Sequence, residues 1–317
     1  MVGKDRVKFE LLAPSDERWR TFAALQPWAN IFHHPAWTKL LAECHSYRPF
    51  VVAVYDANGQ VCAGLPLMEV NSALTGRRWV SLPFTDHCRP LYRDEDALIK
   101  VRDALADLYQ DHQVPRIEVR WELPPHPAIQ SACDCVLHTM PLSGDAECVA
   151  QRMQDKKRRL VKAAEQKGMR ILRGTSAEYL DAFYRLHLLT RRRHGSPIQP
   201  RKFFKLLEEC VMEQGLGFVL LAYKDEVCLA GGVFLRWNNV LTYKYSASSG
   251  TDLQLRPNDL LLSAAIHWGC ENGCTLLDMG RTQMEDTGLR EFKNRWGGGG
   301  GTSHLLDIVP RARAAYD

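Results

Sequence analysis

Hydrophobic and polar positions along the first half of the chain switch between a period of two and a period near 3.6. Residues 7–12 read as a short strand, followed by a helix ending near Leu25. Pro35-Ala36-Trp37 opens a second helix, to about Cys44, because the proline N–H is not needed in a first turn. The runs 50–55 and 61–70 are β-rich, and Asp56-Ala57-Asn58-Gly59 between them signals a hairpin turn. A strand is expected at 78–82 and another at 116–121. Between them, Ala97, Leu98, Val101, Leu105 and Leu108 recur at helical spacing over 94–112.

The second half repeats this order with more helix. Residues 150–167 form one strongly helical stretch ended by Gly168, then a strand at 169–172 and helices at 176–193 and 200–214. Strands at 217–223, 227–237 and 240–246 make a meander with turns at 224–226 and 238–239. A helix over 257–272 precedes strands at 276–279 and 303–309. The pattern predicts an α+β protein of two tandem domains, residues 1–145 and 146–317, each a mixed, mostly antiparallel sheet flanked by helices.

Composition changes the picture in two places. No apolar run approaches the roughly 20 residues of a membrane-spanning helix, and the first twelve residues lack a signal-peptide core, so a cytoplasmic protein is expected. The net charge of +4 is unevenly shared: residues 1–150 carry −4 and residues 151–317 carry +8. Eight of the cations fall between Gln151 and Arg170, among them Lys156, Lys157, Arg158, Arg159 and Lys162, against two acids. An exposed face of this kind suits tRNA phosphates, anionic lipid headgroups at the inner membrane face, or simple solvation, and the three readings stay open.

The ten cysteines form no paired metal-ligand set, and no metal is expected. Asp86-His87-Cys88 and His33-His34 are weak candidates for thiol or metal chemistry. The five glycines 297–301 lack the Lys-Ser/Thr of a phosphate-binding loop and read as a flexible lid.

The last 70 residues are the most specific. Thr242-Tyr243-Lys244-Tyr245 precedes a helix from Asn258, then Leu277-Asp278-Met279-Gly280, then Gly288-Leu289-x-x-Phe292-Lys293 and Trp296-Gly297. With Arg193-His194-Gly195 before Phe203-Phe204, and Phe32 to Trp37 upstream, this resembles the Fem family of aminoacyltransferases over nearly the whole chain. The resemblance implies two GNAT-like domains and attack of an acceptor amine on an activated acyl carbon. It implies aminoacyl-tRNA as donor, no resident cofactor, and an amine on a cell-envelope precursor as acceptor. Phe292-Lys293 stands where the family places its oxyanion stabilisation, which a charged donor performs well. Asp278 joins them as a catalytic candidate, with turn capping as its alternative role. Arg193, Tyr243, Tyr245, Asn258 and Arg281 are the substrate-binding candidates. The two tyrosines, two residues apart, are expected on one face of their strand.

Two departures bear on the acceptor: Arg281 and Leu41 stand where the family's peptidoglycan enzymes tend to carry Gly and Lys. An acyl-CoA or acyl-carrier-protein donor, as in exopolysaccharide assembly, is an alternative. A tight CoA site in the second half is disfavoured, because the stretch 253–259 lacks the glycines of a pyrophosphate loop and Pro257 removes an N–H donor. A non-catalytic scaffold that binds RNA or membrane is a third reading.

Overall fold

The computed structural model describes residues 7–72, 76–111, 114–297 and 299–308. These divide into two compact units, one formed by residues up to 135 with the segment from 302, the other by 136–301. The chain passes from the first unit to the second at Cys135–Val136, and the segment from Thr302 returns to the first unit.

In the first unit, β1 (Phe9–Leu12) leads to α1 (Glu17–Ala24), a 3-10 turn (Ile31–His33) and α2 (Pro35–His45). Then come β2 (Arg48–Tyr55), β3 (Val61–Ser72), β4 (Gly76–Val80), β5 (Leu91–Tyr92), α3 (Glu95–Asp111) and β6 (Ile117–Val119). The sheet order is β1-β2-β3-β4-β6, with β5 beside β3. Its pairs are antiparallel except β4–β6. Helix starts follow local chemistry: the Asp16 carboxylate accepts from Arg18 N–H, and Asn30 and His33 close a reciprocal cap around the 3-10 turn. Trp19, Trp37, Trp79 and Phe32 are fully buried and fill the core.

A strand the periodicity does not foresee, β7 (Ile129–Pro141), carries the chain into the second unit. The elements there are α4 (Ala146–Gln151), α5 (Asp155–Glu165), β8 (Met169–Gly174), α6 (Ala177–Arg193) and α7 (Arg201–Leu207), which runs on as a π-helical turn. Next are β9 (Gly217–Lys224), β10 (Val227–Trp237), β11 (Val240–Ser248), α8 (Pro257–Glu271), β12 (Leu276–Gln283), α9 (Thr287–Asn294) and β13 (Gly299–Ile308). The predicted single helix over 150–167 is two helices, broken at Arg152–Gln154, where Gln154 N–H turns aside to Arg295 C=O. The glycine run is no free lid among the described residues. Gly297 (φ +82) closes α9 so tightly that a Cβ would lie 2.5 Å from Arg152 C=O, and Gly299 already begins β13. Within β13, residues 306–308 pair with β6 in the first unit.

The second unit's sheet runs β7-β12-β11-β10-β9-β8. Pairing from β8 to β11 is antiparallel, whereas β11–β12 is parallel. One cluster of buried side chains joins strands and helices: Phe218, Phe234, Leu241, Leu277 and Met279 from the sheet, Leu261, Leu262 and Ile266 from α8, Val161 from α5 and Trp296 after α9.

Candidate active site

Two irregularities open the middle of this sheet. The parallel pairing of β11 with β12 runs only from Val240↔Leu276 to Thr242↔Asp278, although both strands continue for several residues. Beyond that point the facing backbone groups are released from the ladder. At the same place β10 pairs Val233 with Tyr245 but Phe234 with Tyr243, a bulge that leaves Lys244 as the extra residue. The bulge corrects the expectation that the tyrosines share a face. Tyr243 stacks on Phe234 (4.6 Å, 4°) toward the α8 side, while Tyr245 enters the cluster of His187, Phe203 and Phe204 on the side of α6 and α7. Burial pushes the Tyr243 phenol up to about 12, so it stays protonated and able to donate.

Asp278, Gly280, Arg281 and Lys293 do come together. Asp278 is buried at the end of the paired segment, and its carboxylate accepts from Gly280 N–H at 2.8 Å. This holds Gly280 at φ +72, a conformation glycine adopts without steric cost. Asp278 thus performs the turn-capping role that the sequence offered as its alternative. Lys293 is buried on α9, and its ammonium donates to the carbonyls of Gly280 (3.2 Å) and Arg281 (3.4 Å). The two side chains thus grip the Gly280 residue from its N–H and its C=O.

Other candidates are placed differently. Phe292 turns away from Lys293 and packs against the core cluster, with the Lys157 ammonium over its ring at 4.6 Å. Lys157 was grouped with the exposed cations, yet it is only 3% exposed. It pairs with the buried Asp259 of α8 at 2.7 Å and lies 4.9 Å from the Trp296 ring. Its apolar position on α5, one turn before Val161 and two before Ala164, explains the burial. Desolvation lowers its pKa, with Asp259 opposing. Lys156, Arg158, Arg159 and Lys162 are exposed as expected. Arg193 is engaged: its guanidinium donates to the Ser248 and Ser249 carbonyls and to Ser248 Oγ, strapping the end of α6 to the end of β11.

Three polar atoms on the elements bordering the opening are buried without hydrogen-bond partners: Thr242 Oγ1, Asn258 Oδ1 and Thr282 Oγ1. Unpaired buried oxygens are costly unless a ligand or water completes them. Asn258 was a sequence candidate; the threonines were not, since β-branched hydroxyls in strands carry no distinguishing pattern. His138 on β7 was also missed. It is buried, and desolvation together with the Lys293 charge lowers its pKa to about 4, leaving it neutral beside the lysine.

The weak motifs of the first unit are structural. His33 accepts from Asn30 N–H through Nδ1 and donates through Nε2 to Arg89 C=O, so both ring nitrogens are used. Burial drives the Cys88 thiol far up, away from thiolate chemistry. Leu41 is fully buried in α2, so this position serves packing.

Residues 150–294 match the acetyltransferase (GNAT) domain family. Over 304 residues the chain is 21% identical to the UDP-N-acetylmuramoylpentapeptide-lysine N(6)-alanyltransferase of Weissella viridescens, covering 86% of this chain and 85% of that protein. Among solved structures, FemX superposes with a TM-score of 0.70 at 14% identity, over 96% of this chain and 97% of its own. L-PGS from Bacillus licheniformis gives 0.57 at 13% identity, covering 96% and 94%. A tandem GNAT protein from the clavulanic acid biosynthesis pathway gives 0.56 at 12% identity, covering 95% and 97%. The chain is thus an acyltransferase with the fold of tandem GNAT-like proteins, similar over most of its length to a Fem-type alanyltransferase.

Proposed function

We propose that the protein transfers an aminoacyl group from aminoacyl-tRNA to an amine on a cell-envelope precursor, forming an amide. The relationship to the alanyltransferase over 304 residues carries this reading. Two features of the second unit support it. The first is α5, which turns Lys156, Arg158, Arg159 and Lys162 to solvent, a platform for a polyanion. The second is the start of α8, where a CoA pyrophosphate would need free backbone donors. Pro257 has no N–H, the amides of Asp259 and Leu260 already donate to Arg256 C=O, and the Asp259 carboxylate sits in the first turn.

In this reading the donor's ester carbonyl enters the opening between β11 and β12. The acceptor amine attacks the acyl carbon and the tetrahedral oxygen takes negative charge. Collapse forms the amide and breaks the ester C–O bond, and the ribose oxygen leaves as a hydroxyl with a proton given up by the attacking nitrogen. Lys293, at the mouth of β12, supplies the positive field for that oxygen. The test is a donor comparison: the purified protein with a pentapeptide precursor is offered radiolabelled alanyl-tRNA, acetyl-CoA or acyl-carrier protein. Amide product from the charged tRNA alone, falling steeply between 50 and 200 mM salt, is the expected result. Product from acetyl-CoA at comparable rate would overturn it.

A further inference from the structure

The loop over residues 81–90 holds two strained residues and is tied to several neighbouring elements. Leu82 and Phe84 both hold left-handed backbone (φ 62 and 57), a conformation worth about 1–3 kcal/mol of strain at each non-glycine residue. Leu82 is fully buried, whereas Phe84 stays 39% exposed with its ring stacked on His45. The loop is braced from several elements at once. Trp37 Nε1 donates to Thr85 Oγ1, Arg120 Nη1 donates to Thr85 C=O, Arg120 N–H donates to Ser81 Oγ, Cys88 N–H donates to Arg120 C=O, and His33 Nε2 donates to Arg89 C=O.

What this bracing delivers is Arg89. Its guanidinium lies 4.9 Å from the Trp28 ring, 5.2 Å from Trp121 and 5.6 Å from Tyr92. Among the described residues its only side-chain hydrogen bond is Nη2 to the Tyr92 hydroxyl (3.1 Å), and it pairs with no carboxylate. Most arginines of this unit that are fixed in place, such as Arg18, Arg77, Arg93 and Arg102, sit against acids. Arg89 is instead held by aromatic rings, which fix its plane without neutralising its charge. Trp28 remains 54% exposed, an apolar ring offered to solvent beside the cation.

We infer that Arg89, caged by Trp28, Tyr92 and Trp121, is an oxyanion-binding subsite of the first unit, taking the phosphate or carboxylate of a ligand whose flat or apolar part stacks on Trp28. A rigid guanidinium with Nε and Nη1 uncommitted matches the two oxygens of either group. The indole supplies the apolar contact that separates an organic ligand from the free ion. The site is independent of the donor used by the second unit, so its test is binding, without turnover.

Two probes distinguish the sources of the anion: uridine diphosphate, and the dipeptide D-alanyl-D-alanine with its free carboxylate. Each is titrated against the full chain by calorimetry, with inorganic phosphate as the stripped comparison. Saturable binding of at least one organic probe, tighter than phosphate by about tenfold or more, is expected. Arg89→Gln and Arg89→Lys should each weaken it by about tenfold or more, the lysine keeping the charge but losing the fork. Trp28→Ala removes an exposed ring and leaves the braced loop in place, so it should weaken the organic probe by more than it weakens phosphate. Failure of both probes to bind the wild type, or equal binding by Arg89→Gln and wild type, overturns the assignment. If Arg89→Gln does not fold, Trp28→Ala decides: an unchanged organic probe refutes the cage.

Discussion

Replacing Lys157 by Met tests the central correction that the structure makes to the charge pattern. The ammonium is almost fully buried, 2.7 Å from the buried Asp259 carboxylate and over the rings of Phe292 and Trp296. Methionine keeps most of the volume, so packing changes little and the loss is electrostatic. Asp259 is left buried without its cation, which costs about 3–5 kcal/mol when one partner of a buried pair is removed. The lost cation over the Phe292 and Trp296 rings adds about 1 kcal/mol or more. An exposed α5 lysine such as Lys156 should cost within about 0.5 kcal/mol on the same change. Urea denaturation followed by circular dichroism measures both. The second half of the cycle is Asp259→Leu alone and the double substitution Lys157→Met with Asp259→Leu. Since the double variant removes both charges, it should recover most of the loss and give a coupling of about 2 kcal/mol or more. Lys157→Met behaving like Lys156→Met, or additive single effects, would refute the buried pair and return Lys157 to the solvated face.

Lys293→Met should lower turnover by about 10²–10³ with the proper donor and acceptor, with a smaller effect on KM, and retention of half the wild-type rate would exclude an oxyanion role. Reversing Lys156, Arg158, Arg159 and Lys162 together should flatten the salt dependence of tRNA binding, while the melting temperature moves by no more than a few degrees; an unchanged salt slope would make the face merely solvated. His33, His138 and His187 are each buried with pKa lowered to about 4 from 6.5. Between those values the unfolded chain binds more protons, so stability should fall as pH drops from 7 to 5, on the order of 2 kcal/mol per histidine. A melting temperature that is flat or rising toward pH 5 contradicts their burial as neutral rings.

How much was legible in the sequence differs by element. The hairpin β2–β3, the helix α3 and the meander β9–β11 follow from local chemistry: turn residues, apolar spacing and helix-start prolines. Strand β7 did not, because Ile129–Pro141 lacks a sustained alternation and is preceded by prolines. Helix α9 is short, and its one buried residue among the motif positions is a lysine, which no hydrophobic pattern marks as inward. The family motif identified Asp278, Gly280 and Lys293 as a group, and the structure places them in contact.

The order of residues by itself determined two mixed α+β halves, the asymmetry of charge and the motif positions at the end of the chain. These are properties of neighbours in sequence. Only tertiary structure decided which way each side chain points. The bulge at Lys244 needs a partner strand to define it, and it moves Tyr243 and Tyr245 to opposite faces. Asp259 lies 102 residues from Lys157, and its carboxylate turns one member of a cationic run into a core residue. Three rings distant in sequence from one another hold Arg89, which reads in isolation as one more surface cation. In each case the deciding energy is desolvation, which depends on what surrounds a group in space and has no signature in its neighbours along the chain.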